Sequence, residues 1–307
     1  MPSMWLNWRP VSAFAASGSN TTRRQPKMRN RRCAPSSLRI WVVRPPTSPP
    51  KSKSADVTTS DNLSRIRAVS FDGDMTLWDF EKVMRNSLAH ALVELRKHLH
   101  QSQCVDLTVD RMIEIRNTVA DEFAGKRVTL ERVRLEAFRR TIATLGSDDD
   151  RLAAHLNSIY LEHRFADIEL YPDVLPALDS IAGRYVLGLI SNGNGYPERC
   201  GLQGRFSFVV LAQNVGVEKP HPAIFEHACG HARCTPEQLI HIGDSLDTDV
   251  AGARRAGAVS VWLNRDRRPD YTSIRPDYKI HSLIELDDFL DRDRCATGRL
   301  SQAGLSK

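Results

Sequence analysis

The chain has 307 residues, 41% of them hydrophobic and 26% charged, which suffices for one large domain or two of ordinary size. No stretch approaches the roughly 18 consecutive apolar residues of a membrane helix, and nothing in the composition fits a fibrous protein. The net charge of +6 is unevenly spread: residues 1–55 hold eleven of the 43 Lys and Arg, and no Asp or Glu. The rest therefore carries 32 basic against 37 acidic residues, a net of −5, which argues against a nucleic-acid-binding body. Six cysteines (Cys33, Cys104, Cys200, Cys229, Cys234, Cys295) lie far apart with no CxxC pair, as expected of free thiols in a reducing compartment.

Residues 1–60 are rich in Ser, Pro and Arg, and such a segment cannot bury enough apolar surface to offset its ordering entropy. Three readings stand open: a disordered basic tail, an organellar transit peptide, or sequence upstream of the true start, with Met28 or Val57 as that start. The location expected is the cytoplasm, or an organelle on the second reading.

From Ile66 the texture changes. Short apolar runs recur at Ile66–Phe71, Tyr185–Ile190, Phe206–Leu211, Leu239–Ile242 and Val259–Leu263, with helical patterns between the later ones. Continuous apolar runs alternating with helices predict an α/β fold with a doubly wound parallel sheet. The gap between the first two runs is too long for one crossover helix. Within it, four stripes have helical spacing: Met84, Leu88, Leu92, Leu95 and Leu99; Met112, Ile115, Val119 and Phe123; Leu135, Phe138, Ile142 and Leu145; Leu152, Leu156 and Ile159. Ser147 and Asp150 have the spacing of a capping box at the head of the fourth. The expected organisation is a tail at 1–60, core at 61–79, an inserted α-helical bundle at 80–166, core again at 167–292, and a flexible end at 293–307.

Chemistry-bearing residues follow the runs. The first leads into Asp72-Gly73-Asp74-Met75-Thr76, two carboxylates where an open α/β sheet places its ligands. The second ends in Ser191-Asn192-Gly193, whose hydroxyl, amide and backbone N–H groups suit an anion, or form an ordinary turn. Next comes Gly216-Val217-Glu218-Lys219-Pro220-His221-Pro222, with one Lys beside an expected helix start at Pro220. The fourth run ends in Gly243-Asp244-Ser245-Leu246-Asp247-Thr248-Asp249, followed by an expected helix Val250–Ala256. Its acids suit Mg²⁺, or merely favour a helix N-terminus.

Four such motifs in this order resemble the haloacid dehalogenase superfamily, in its phosphatase-like branch with a helical cap inserted after the first motif. The resemblance covers about residues 64–292, and Met75 departs from it, standing where the family often has Gly. It implies that Asp72 is a nucleophile carrying an aspartyl-phosphate and that Asp74 protonates the leaving oxygen and then activates water. Thr76, Ser191, Asn192 and Lys219 would serve the phosphate. Asp72, Asp74 (by its main-chain carbonyl), Asp244 and Asp249 would hold Mg²⁺, with Asp247 the weaker candidate for the outer acid. The implied activity is Mg²⁺-dependent hydrolysis of a small organic phosphate monoester by a monomer or homodimer, with neither a nucleic acid nor a membrane as partner. The cap would close over the substrate on links near Asp79–Glu81 and Asp167–Pro172.

Other readings are weighed against this one. A haloacid dehalogenase needs neither the metal nor the second Asp, and a phosphomutase would use the same core residues. The basic tail on an inert body would make a sequence-blind nucleic-acid binder. His227, Cys229, His231 and Cys234 mimic a zinc cluster, against the plainer reading of a helix end with packed thiols. His90, His98, His100, His155 and His163 are expected at the surface or the pocket rim. Trp78 lines the substrate entrance or anchors the cap.

Overall fold

In the computed structural model the described residues are 63–99, 106–123, 126, 128–269 and 272–291. The tail at 1–60, the end at 293–307, His100, Cys33, Cys104 and Cys295 lie outside them. Six strands form one parallel sheet: β1 (Ala68–Phe71), β2 (Val186–Ser191), β3 (Phe208–Leu211), β4 (Leu239–Gly243), β5 (Val259–Leu263) and β6 (Tyr278–Ile280). Their order is β3-β2-β1-β4-β5-β6. The chain winds one way from β1 and the other way from β4, so the carboxyl ends of these two neighbours flank a topological switch point. All four residues of β1 and all five of β4 are buried, which is why both read as unbroken apolar runs.

Both faces of the sheet are covered. Helix α5 (Val174–Ile181) lays Val174, Leu178 and Ile181 on one face, beside Leu283, Leu286 and Leu290. Helix α7 (Pro222–Ala232) lays Ile224, Phe225 and Ala228 on the other, with Ala253 of α8 (Ala251–Ala256). A short helix, α6 (Ala212–Val215), follows β3 directly. Strand β6 escaped the sequence reading because it has three residues, one of them exposed, just after Pro276-Asp277.

Between β1 and α5 stand α1 (Phe80–His98), α2 (Val109–Phe123), α3 (Leu130–Ala143) and α4 (Asp150–Ala166). The striped residues Leu88, Leu92, Leu95, Met112, Phe138, Ile142, Leu152 and Leu156 meet in a core of their own, separate from that of the sheet. The cap of α4 differs from expectation. Asp149, not Ser147, accepts from Arg151 N and Leu152 N, at 2.9 and 3.0 Å, because its carboxylate stands directly before the first turn. The two links to the sheet run side by side: Trp78 bridges Leu170 antiparallel, Tyr171 N donates to Leu77 O at 3.0 Å, and Lys82 pairs with Glu169. No helix of the described residues is long and apolar enough to cross a membrane.

One ion pair ties the link to the sheet. Arg265 donates to both oxygens of Asp173, at 2.8 and 3.0 Å, and to Thr76 O at 2.8 Å. Asp173 also accepts from Ser282 Oγ and Leu283 N. Burial pushes its carboxyl upward, but Arg265, Ser282 and the Leu283 N–H outweigh this and hold it below the ordinary range. Such a group stabilises the fold above its unfolded pKa and loses that contribution as pH falls. Asp173→Asn should therefore lower the unfolding free energy by about 2–4 kcal/mol at neutral pH. The deficit should narrow as pH drops below about 4 in denaturant titrations; a deficit independent of pH would contradict this role.

Candidate active site

The first motif leaves β1 as a tight turn. Asp72 N still donates to Ile242 O of β4 at 2.8 Å, after which Thr76 N and Leu77 N both fold back onto Gly73 O. The turn puts Met75 at φ 63°, in the left-handed region that glycine enters freely. Thr76 is fully buried, with its Oγ1 unpartnered and its carbonyl held by Arg265.

Lys219 is the centre of the site. Its side chain is buried, and Nζ donates to Asp72 Oδ1 at 2.6 Å, Asp249 Oδ1 at 2.7 Å and Ile190 O at 2.9 Å. The loop that carries it is fixed by Asn192, whose amide accepts from Lys219 N and donates to Lys219 O at 2.8 and 2.9 Å. Asn192 thus grips the Lys loop with both ends of its amide. Pro222, not Pro220, opens the helix that follows, with His221 as its cap, so Lys219 sits in a turn before the helix, closed by His221 N donating to Glu218 O at 2.9 Å.

A π-helical turn, Leu246–Val250, brings Asp249 inward. Its Oδ2 accepts from Ser245 N at 3.0 Å, and its Oδ1 also meets His241 Nε2 at 3.1 Å. Gly243 admits this approach, since a Cβ there would lie 2.2 Å from Asp249 Cγ. His241 is buried on β4 and its Nδ1 lies 2.9 Å from Ser70 Oγ. Burial lowers its pKa, and a neutral ring suits both neighbours in one tautomer only. Nε2–H must donate to the acceptor-only carboxylate, and the one Ser70 hydroxyl proton lies within reach of both Nδ1 and Ile240 O, the latter at 3.1 Å. His241 and Ser70 were illegible as site residues because they interrupt apolar strands singly, as core polar residues often do.

One oxygen each of Asp72, Asp244 and Asp249 lies within 4.8 Å of the other two. Asp247 is half-buried and outside that group, and the Asp74 carboxylate is outside it too. Three carboxylates face the Lys219 ammonium and, 3.7 Å from Asp244, the Arg268 guanidinium, which leaves an excess of negative charge. Burial raises Asp72 to about 7; Lys219 pulls it down, while Asp249 and Asp74 add to the rise. Burial, then Asp249 and Asp72, drive Asp244 well above the ordinary range. Burial would raise Asp249 as well, but Lys219 and the His241 N–H hold it well below. The Lys219 ammonium is lowered by burial and raised more by Asp249 and Asp72, so it stays charged. Hard oxygen donors short of positive charge fit a divalent cation such as Mg²⁺.

Asp74 stands to one side. Trp78 Nε1 donates to its Oδ1 at 2.8 Å, while Gly193 packs so closely that a Cβ would fall 2.6 Å from Oδ2. The Trp78 ring also closes against Gly73 and Gly195, and its backbone joins the two links. It therefore anchors the insert and orients Asp74 together. Ser191 Oγ accepts from Gly193 N at 3.0 Å. The motif residues Asp72, Asn192, Lys219, Asp244 and Asp249 are thus gathered at the carboxyl ends of β1, β2 and β4, with Asp74 and Ser191 beside them.

The zinc reading is not supported. His227 and His231 face solvent on α7, Cys229 packs in the core and Cys234 lies behind it, so the four do not converge. Burial pushes the Cys229 thiol up to about 12, which suits an inert thiol. Four of the five cap histidines pair along the α1–α4 seam. His90 stacks on His163 with ring centroids 3.5 Å apart, and His98 and His155 gather around Glu94.

Comparison with known proteins agrees with this arrangement. The family model for haloacid dehalogenase-like hydrolases matches residues 66–257. The chain is 30% identical over 234 residues to glyceraldehyde 3-phosphate phosphatase of Methanopyrus kandleri, covering 73% of this chain and 96% of that protein. It is 28% identical over 242 residues to N-acylneuraminate-9-phosphatase of Mus musculus, covering 76% and 97%. A crystal structure of 2-haloacid dehalogenase from Pseudomonas syringae pv. Tomato DC3000 superposes with a TM-score of 0.64 at 30% identity, covering 74% of this chain and 99% of that one.

The left-handed turn has a measurable consequence. Met75→Gly and Met75→Ala both remove the side chain beyond Cβ, but only glycine also removes Cβ and relieves the strain at φ 63°. The glycine variant should be the more stable by about 1 kcal/mol in urea denaturation. Were alanine the equal of glycine, the turn would not be strained.

Proposed function

Because this chain belongs to the haloacid dehalogenase-like hydrolases, we propose that it is a Mg²⁺-dependent phosphatase cleaving small organic phosphate monoesters through a phosphoryl group carried on Asp72. The observation that carries the reading is the Lys219 ammonium, locked between Asp72 and Asp249 inside a group of three carboxylates. Two of the relatives are named as phosphatases of small phosphate esters, which supports the same class.

Lys219 holds Oδ1 of Asp72, leaving the other oxygen to attack phosphorus. As that bond forms, the bond from phosphorus to the alcohol oxygen breaks, and a proton on Asp74 passes to the departing oxygen. Asp74 then takes a proton from water, whose oxygen attacks the same phosphorus and breaks its bond to Asp72. Inorganic phosphate leaves, Asp72 is again a carboxylate and Asp74 again carries a proton. Asp72, Asp244 and Asp249 would hold Mg²⁺, with the Asp74 main-chain carbonyl contributing. When bound, that ion supplies the positive charge that lets a carboxylate approach an anionic phosphate. Ser191 and the Gly193 N–H line the phosphoryl side, Lys219 offsets its charge, and Thr76 supports the turn beneath it.

The dehalogenase-like neighbour raises the other chemistry of this scaffold. A halide departs as a stable anion and needs no proton, whereas an alkoxide does. Asp74, oriented by Trp78 beside the nucleophile, has a task only in the second case. The three-carboxylate group likewise suits a reaction that recruits a cation.

The test is phosphate release from a panel of phosphorylated metabolites, with and without EDTA. Wild type should release phosphate only while divalent metal is present, and Asp72→Asn should lose at least about 10³-fold in kcat with its fold intact. More than a few per cent of residual activity in Asp72→Asn would overturn the covalent route, and EDTA-resistant turnover would overturn the metal.

A further inference from the structure

Four arginines of the helical insert are neutralised by acids. Arg85 pairs with Glu81 and Asp110, Arg111 with Glu114, Arg139 with Asp150, and Arg140 with Glu122 and Glu136. Among the described residues Arg96, Arg132 and Arg151 form no such pair either but are exposed, whereas Arg116 on α2 and Arg134 on α3 are half-buried and Arg164 on α4 is buried. Among the described residues, none of these three forms an ion pair with a carboxylate. Arg164 is only 2% exposed, its Nε and Nη1 have no partner, and its Nη2 makes one long contact of 3.4 Å to Asn194 Oδ1. Arg134 has Nε and Nη2 buried without a partner. Arg116 donates from Nη1 to its neighbour Asn117.

The three come from different helices, yet their charges act on one another. Burial lowers the pKa of Arg116, and Arg164 lowers it further against Tyr160, which raises it; burial does the same to Arg134, with Arg164 and Arg116 adding to it against Tyr160 and Glu131. Orphaned guanidinium N–H groups and mutual repulsion both cost stability, and an oxyanion bound there would relieve both. Packing alone does not explain them. Arg164 does stack 4.6 Å from the Phe80 ring centroid, but a ring face satisfies none of its edge donors.

Arg164 faces the side of the site where Asp74 stands. Asn194, the contact of Arg164, follows Gly193, the residue that abuts Asp74 Oδ2. Asp74 is also among the charges acting on Arg116. With phosphorus at Asp72 and the leaving oxygen at Asp74, the alcohol part of the substrate extends toward the three arginines. Resting on that reading of the site, we propose that Arg116, Arg134 and Arg164 form a second oxyanion site, and that the substrate is a phosphate monoester whose alcohol part carries a further anionic group. The Nε and Nη2 donors of Arg134 share one edge of the guanidinium, the fork that pairs with two oxygens of a carboxylate or a second phosphoryl group.

The test uses the full chain carrying Asp72→Asn, with Mg²⁺ present, so that binding is read without turnover. Calorimetry compares 3-phosphoglycerate with glycerol 3-phosphate for a carboxylate, and fructose 1,6-bisphosphate with fructose 6-phosphate for a second phosphate. In at least one pair the member with the extra anion should bind about ten-fold or more tightly, and the pair that discriminates identifies the group. Adding Arg164→Gln or Arg134→Gln should bring that ratio close to one, while Arg139→Gln, a surface change of the same charge, should leave it standing. Arg134→Gln keeps the question answerable if Arg164→Gln does not fold. Equal affinities within both pairs, no binding of any member, or a ratio that survives both arginine changes would overturn the oxyanion site. Selective binding by Asp72→Asn with no wild-type turnover of the preferred ester would instead remove the phosphatase reading and leave the site in place.

Discussion

A buried ammonium organises this molecule. Taking a charge out of water costs several kcal/mol, and Lys219 is offset only because Asp72, Asp249 and the Ile190 carbonyl converge on it. Those partners belong to the loop after β1, to β2 and to the turn after β4. They meet because β1 lies between β2 and β4, with all three strands ending at one edge. Asn192 then grips the Lys loop through both ends of its amide, and His241 braces Asp249 from inside the sheet. Displacing any one of these elements would leave a charge buried without its counterpart, so the topology and the site stabilise each other.

The same arrangement leaves an excess of negative charge. Lys219, with Arg268 3.7 Å from Asp244, does not balance three carboxylates, and burial together with that surplus raises Asp72 and Asp244 while Asp249 keeps its charge. A site finished by a cation from solution is an economical way to bring a carboxylate against an anionic phosphate. It also separates tasks within the chain. On the proposed reading, the sheet fixes the phosphoryl chemistry, and the helical insert, with its own core and paired links, brings the arginines to the alcohol side.

Much of this was legible in the sequence, for a physical reason. Strands buried on both faces read as unbroken apolar runs, helices packed on one face read as stripes, and acids at strand ends stand out against both. Hence the pattern of residues along the chain suffices to locate β1 to β5, α1 to α4, and Asp72, Asp74, Lys219, Asp244 and Asp249. Interactions set through space leave no such pattern. Ser147 gave a better local capping signal than Asp149, yet the helix begins where the chain turns. Trp78 carries an orienting role that depends on the distant Gly195 as well as on nearby Gly73, and His241 interrupts an apolar strand. Arg116, Arg134 and Arg164 occupy ordinary helical positions, and only the fold brings their charges together. The basic segment at 1–55, the strongest compositional signal of all, lies outside the described residues.

The account depends most on the charge imbalance around Lys219, and unfolding equilibria with and without Mg²⁺ read it directly, at matched ionic strength and independently of any activity. At a concentration about 100-fold above its Kd, Mg²⁺ should raise the unfolding free energy of the wild type by about 2.7 kcal/mol. Asp244→Asn, relieved of one repelled carboxylate, should be at least as stable as wild type without Mg²⁺ and should lose most of this gain. A wild type indifferent to Mg²⁺, or an Asp244→Asn variant that gains as much as wild type, would contradict the account.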